Sequence, residues 1–253
     1  MGRQTCALLA CGLLLAGTLT SAQRGPAAAA LHLDPEVLAL ACAPAMVYER
    51  PMTSLRVTGG QDSAVRVGYA PGDLITINAG TDNGIDVGQE FYVRRVLPNR
   101  GQEPSRAAPG VVQTTGWIKV YAVDPKMSLA TITHACDTID VNDYLDPFTL
   151  PVVPAQAGRE KKPQKENYGR ILLGADRRRA FGSGDFFVVD RGSDHGVTPG
   201  AQFVIFRDKL KAENFLYELG EAVAVDVRSE SSTLKVTLSR DAFLTGDYVA
   251  IRK

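Results

Sequence analysis

From about residue 55 onward, apolar residues come in short runs separated by polar stretches that contain glycine. Ile75–Asn78 and Phe187–Asp190 are rich in β-branched and aromatic residues, and each run begins just after a Gly-Asp pair, Gly72-Asp73 or Gly184-Asp185. This pairing of a turn signal with an extended run predicts strand starts. Each run leads into a Gly-Ser/Thr-Asp-x-Gly loop, marked by Gly80, Asp82 and Gly84 in one case and by Gly192, Asp194 and Gly196 in the other. Glycine tolerates positive φ and an aspartate side chain accepts nearby backbone amides, so the chain is predicted to turn back there. Ile85 and Val197 interrupt the polar loops and are expected to tuck inward before Gly88 and Gly200 open the next strands at Phe91 and Phe203. One helix is predicted, over residues 35–42, from the N-cap candidate Asp34, Pro35 at the first helical position, Glu36 in the first turn and Pro44 beyond the end.

The same pattern occurs twice. Residues 72–95 lie over 184–207 at an offset of 112 with eight identities in 24 positions, Phe91/Phe203 and Arg95/Arg207 among them. Downstream the match resumes at an offset of 104, pairing Gly116 with Gly220, Thr133 with Thr237, Asp137 with Asp241, Asp143 with Asp247 and Tyr144 with Tyr248. The eight extra residues of the first copy fall in the polar stretch 98–109, where an insertion costs a β domain least. Further strands are predicted after Gly116 and Gly220, over Leu129–Ala135 and Thr233–Ser239, and from Asp143 and Asp247. Five short strands per copy describe an all-β protein of two tandem small barrel-like or sandwich domains. The expected boundaries are 55–149 and 168–253, with an N-terminal segment over 23–54 and a proline-rich, charged linker over 150–167.

The chain begins with a single charge, Arg3, a weakly polar run from Cys6 to Thr20, and Ser21-Ala22-Gln23. That order reads as a signal peptide over 1–22, cut after about Ala22, because the run falls short of the ~20 apolar residues that span a bilayer. Leu8–Cys11 also resembles a lipobox, although the apolar core before Cys11 would be short. The mature chain is expected in the periplasm or outside the cell, with no transmembrane segment. It would carry 27 basic and 28 acidic side chains, a formal charge of −1 that points to no partner. Residues 159–179 hold eight basic groups against three acidic ones and form a local positive stretch, in which Arg177, Arg178 and Arg179 are candidate ligand contacts. No aromatic platform alternates with these charges, so nucleic acid is not an expected partner.

Export would leave two cysteines, Cys42 and Cys136, and an oxidising compartment implies that they form a disulfide. His134, two residues before Cys136, raises a metal reading, but two donors on one strand fall short of a zinc set. The glycines at 80, 84 and 88 lack both the Lys-Ser/Thr of a phosphate loop and a following helix. Asp82, Asn83 and Asp86 lack the dense alternation of a calcium loop. Asp137, Asp140 and Asp143 could in principle form a hydrolytic pair, yet Asp137 and Asp143 recur at the same turns of the second copy as Asp241 and Asp247, which suits turn capping better than an asymmetric site. His32, His134 and His195 lie in no nucleophile context. No catalytic residue, metal or cofactor is therefore expected. Trp117 aligns with Glu221, which suggests a partly exposed position, and Trp117 with Tyr121 is a candidate ligand contact.

At Gly72-Asp73, Gly80, Gly84-Ile85, Gly88 and Phe91, and at their counterparts from Gly184 to Phe203, the chain resembles a group of uncharacterised secreted bacterial proteins with two β-domain repeats. It is similar there to the β-domains that accompany LysM modules and, more distantly, to the C-terminal domain of flagellar assembly protein T. The resemblance implies a β-domain fold and a place in the cell envelope. Together these readings predict a non-enzymatic binding or assembly module whose partner is an envelope protein or a cell-wall glycan. A peptidoglycan or polysaccharide binder is one alternative, and an aspartate-dependent hydrolase is another.

Overall fold

The computed structural model describes residues 34–61, 64–66, 68–98, 104–105, 108–155, 168–174, 178–208 and 216–252. The expected signal peptide, most of the expected linker, and Arg177 lie outside them. Helix α1 (Pro35–Ala41) forms as expected: the Asp34 carboxylate accepts the Glu36 amide at 2.8 Å, proline opens the first turn, and Cys42 closes the last. The strands that follow are β1 (Ala45–Val47), β2 (Val57–Gly60), β3 (Gly68–Tyr69), β4 (Leu74–Ile77), β5 (Glu90–Leu97), β6 (Gly110–Val123), β7 (Ser128–Ala135), β8 (Ile139–Asp140) and β9 (Tyr144–Pro147). After residue 168 come β10 (Gly169–Gly174), β11 (Ala180–Phe181), β12 (Phe186–Val189), β13 (Gln202–Asp208), β14 (Leu216–Val227), β15 (Ser232–Ser239), β16 (Phe243–Leu244) and β17 (Tyr248–Ile251).

The described residues are all-β apart from α1 and short 3-10 turns. The later strands form a closed barrel in the order β10-β12-β15-β14-β13-β17, antiparallel throughout. The earlier strands follow the corresponding order β2-β4-β7-β6-β5-β9, and β1 adds to the outside by pairing with β6. The edges β2 and β9 meet through Val57 N–H to Asp143 O at 2.9 Å and Leu145 N–H to Leu55 O at 3.1 Å. Two small ribbons, β3 with β8 and β11 with β16, lie at matching positions.

Among the described residues, each copy has eight strands against the five expected, β2–β9 and β10–β17, two of them in its small ribbon. Each barrel path has six, because β2 and β10 precede the region where the copies align by identity. They match at a third offset, 114, which places Val57 on Ile171 and Gly60 on Gly174. Gly116 also proves to lie within a strand instead of opening one, since β6 starts at Gly110. A Cβ there would come within 2.3 Å of His134 O, and one at Gly220 within 2.0 Å of Leu238 O, so these glycines let neighbouring strands approach closely. Gly84 and Gly196 meet a different need: each ends a 3-10 turn, Thr81–Asn83 or Ser193–His195, with φ of 74° and 78°.

The two cores correspond position by position. Ile75, Phe91, Val93 and Leu145 fill the first, and Phe187, Phe203, Ile205 and Val249 fill the second. Ile85 and Val197, each 3% exposed, tuck inward as their loops predicted. Volume is exchanged between neighbours. The cross-strand pair Val120–Ala130 of the first core becomes Ala224–Leu234 in the second, large and small having changed strands. Such an exchange keeps the volume of the layer constant, which is what a close-packed interior requires.

Candidate functional site

Asp143, which invited a catalytic reading, its counterpart Asp247, and the turn aspartates Asp73 and Asp185 are held in four small knots, two per copy. Asp143 Oδ2 accepts the amide of Asp140 three residues earlier at 3.0 Å, and both its oxygens pair with Arg95, at 2.7 and 2.8 Å. Asp247 repeats this with the Leu244 amide at 2.7 Å and Arg207 at 2.8 and 2.7 Å. Each arginine also donates to a carbonyl at the same turn, Thr138 O or Ala242 O. The second pair of knots joins Asp73 to the Ala70 amide at 2.9 Å and to Arg66, and Asp185 to the Gly182 amide at 2.9 Å and to Arg178.

The electrostatics match a holding role. The hydrogen bond that Arg95 donates to Asp143 raises the Arg95 pKa above its ordinary value, and the one that Arg207 donates to Asp247 does the same for Arg207. The Ala70 amide, and after it Arg66, hold the Asp73 carboxyl below the usual range. Arg95 and Arg207 are thus favoured as cations and Asp73 as an anion, the opposite of a group tuned to exchange a proton near neutrality. Asp137 caps its own turn through the Thr138 amide and accepts Gln113, while His195 takes the place of Asn83 in receiving the amide of the glycine that opens its 3-10 turn. Tyr144 is pushed up to about 12, chiefly by burial, and lies beneath Arg56.

Trp117 is buried, 4% exposed, and the partly exposed position inferred for it is corrected. The inference rested on Glu221 at the equivalent place, but Glu221 is itself buried and pairs with Arg252 at 2.9 Å. A charged counterpart therefore says nothing about exposure there. Trp117 forms an aromatic cluster with Tyr92 and Phe148, and its ring stacks on His134 at 4.2 Å. Helix α1 lies on this cluster through Leu38 and Ala41. Burial lowers the His134 pKa and raises that of Tyr92.

The helix is also fastened covalently. Cys42 and Cys136 form a disulfide, with their Cα atoms 5.7 Å apart. Sequence spacing pairs His134 only with Cys136, but the fold brings Cys42 to the same place. Among the described residues, these three form the one group of at least three Cys, His or acidic side chains whose donor atoms are close enough to share an ion.

Residues 34–47 also reach the later barrel. Thr233 Oγ1 donates to Pro44 O at 2.7 Å, Arg228 to Met46 O at 3.0 Å, and Lys235 pairs with Glu36 at 2.5 Å. The segment is thus a strap across both barrels.

Of the other candidate contacts, Tyr121 is exposed at 68% and stands at a bulge in β6 beside Leu129 of β7, which is 40% exposed. Met127, in the turn joining the two strands, is also exposed. Arg178 and Arg179 are exposed, with Arg178 pairing with Asp185, and Arg170 lies over the Tyr248 ring at 3.4 Å. No described helix is long and apolar enough to cross a membrane.

No family model matches the chain, and no curated protein matches it. Among solved structures, the major periplasmic domain of the cell shape-determining filament MreC is similar over 83% of this chain and 99% of that one, at 12% identity and a TM-score of 0.17. At that score nothing of its fold or role is carried over. No family model and no curated relative supports the resemblance to LysM-associated domains or to flagellar assembly protein T.

Proposed function

We propose that this chain is a non-enzymatic, exported module of the cell envelope, built of tandem β-domains over 55–149 and 168–253, which binds or assembles with a protein partner. One observation carries the reading: Asp143 and its counterpart Asp247, among the acids that sequence offered for chemistry, serve as turn caps and arginine partners in both copies alike. A duplicated holding role accounts for their identity and spacing without a reaction. The separate cores support the domain limits, and the disulfide supports an oxidising destination.

Tyr121, Leu129 and Met127 supply the contact surface, since exposed tyrosine and methionine are enriched at protein interfaces and tyrosine at their hot spots. A cell-wall glycan is the second reading, favoured by the same exposed ring, on which a sugar could stack. Pull-down from envelope extracts is expected to retain a protein on the wild type and to lose it on Tyr121→Ala/Leu129→Ser. Sedimentation with purified cell wall separates the glycan reading. Equal retention by both forms, or turnover abolished by Asp137→Asn in an activity screen, would overturn the proposal.

A further inference from the structure

The disulfide has an imidazole beside it that barrel formation does not require. His134 and Cys136 align with Leu238 and Arg240 in the later barrel, so that fold closes with neither donor. The first copy carries them where α1 docks, and the helix delivers Cys42 as its C-cap. The donor atoms of Cys42, His134 and Cys136 all lie within 4.8 Å of one another, and each residue is half-buried. Stacking on Trp117 fixes the plane of the His134 ring. A cleft of about 250 Å³, lined by Gln113, Thr114, Arg178 and Asp185 among others, opens onto both cysteines.

We propose that Cys42, His134 and Cys136, when the disulfide is reduced, bind a thiophilic divalent ion such as zinc in a tetrahedral site completed by water. Two thiolates and one imidazole form a donor set that suits zinc, and the cleft gives the fourth ligand its place. The reductant is a dithiol. It transfers two electrons and two protons to the Cys42–Cys136 bond and becomes a disulfide itself, leaving two thiols. Metal entry then releases both thiol protons. Disulfide and metal exclude one another, because a sulfur bonded to sulfur is not a thiolate. Either state ties α1 to the barrel, so the strap stays fastened in oxidising and in reducing surroundings.

The test uses the full mature chain, reduced with a water-soluble phosphine and titrated with cobalt(II) under argon. The expected result is a thiolate-to-cobalt charge-transfer band and the visible bands of tetrahedral cobalt, both removed by zinc and both missing from the oxidised protein. Competition with a chromophoric chelator is expected to show zinc bound at least tenfold more weakly by reduced His134→Gln than by reduced wild type. The same variant in its oxidised form, with its wild-type circular dichroism spectrum, controls for folding. Zinc is further expected to raise the melting temperature of the reduced wild type and to leave the oxidised protein unchanged. Any of three results overturns the proposal: reduced wild type resembling Cys42→Ser/Cys136→Ser in the cobalt spectrum, full zinc affinity in His134→Gln, or binding that proceeds with loss of the β-sheet signal.

Discussion

Asp143 is 3% exposed and Asp247 is 6% exposed, yet each is ionically paired. Asp143→Asn takes the doubly bonded carboxylate from Arg95, which keeps Asp140 at 2.8 Å, and Asp247→Asn takes it from Arg207, which keeps Asp241 at 3.7 Å. Each substitution is expected to lower unfolding free energy by ~1–3 kcal/mol in a urea titration, the cost of leaving hydrogen-bonding groups at a buried turn unmet. Neutralising both partners, as in Arg95→Met/Asp143→Leu, is expected to cost less than Asp143→Asn alone. Asp73 gives a separate test through pH. Its folded pKa is lowered, so its contribution to stability is present above the ordinary value of 3.8 and is lost as pH falls through the folded pKa. Carbon-detected titration is expected to place its midpoint below 3.8, and Arg66→Gln to raise that midpoint only partway, since the Ala70 amide remains the larger cause.

At the level of strands, the exchange of Val120–Ala130 for Ala224–Leu234 makes a cycle measurable. Leu234→Ala alone is expected to cost ~2–5 kcal/mol, the range for opening a cavity in a core. Leu234→Ala/Ala224→Val recovers part of that loss because the added methyls face the space, and the coupling is read as a double-mutant cycle in urea. Where turn chemistry repeats, from Gly72 to Phe91 and from Gly184 to Phe203, the fold is legible in the sequence. The first strand of each barrel is not, because its register differs from both offsets that identities reveal. What β2 and β10 share is shape: Gly60 lies against the ring of Tyr69 and Gly174 against that of Phe181, contacts that no one-dimensional match displays. Arg56 over Tyr144 and Arg170 over Tyr248 are likewise visible only when the barrels close. The site was legible to the same degree. Cys42 and Cys136 paired as an exported pair should, but Trp117 was misplaced because its buried counterpart is an ion pair, and His134 gained its second sulfur only through docking of α1.

For the whole molecule, residues 34–47 are the part that touches everything. The Cys42–Cys136 bond closes a span of 94 residues, and its removal by Cys42→Ala/Cys136→Ala is expected to cost about 4–5 kcal/mol in the chain-entropy model, read as a lower urea midpoint. Thr233→Val leaves the buried Pro44 carbonyl without its donor, with an expected cost of ~1–3 kcal/mol. Position along the polypeptide adds a consequence about timing. A ribosome or an export channel delivers residues 34–47 well before 228–235, the stretch that supplies Arg228, Thr233 and Lys235. The earlier segment therefore has to wait for the later one, and a chain interrupted before residue 228 would emerge with residues 34–47 lacking these three partners.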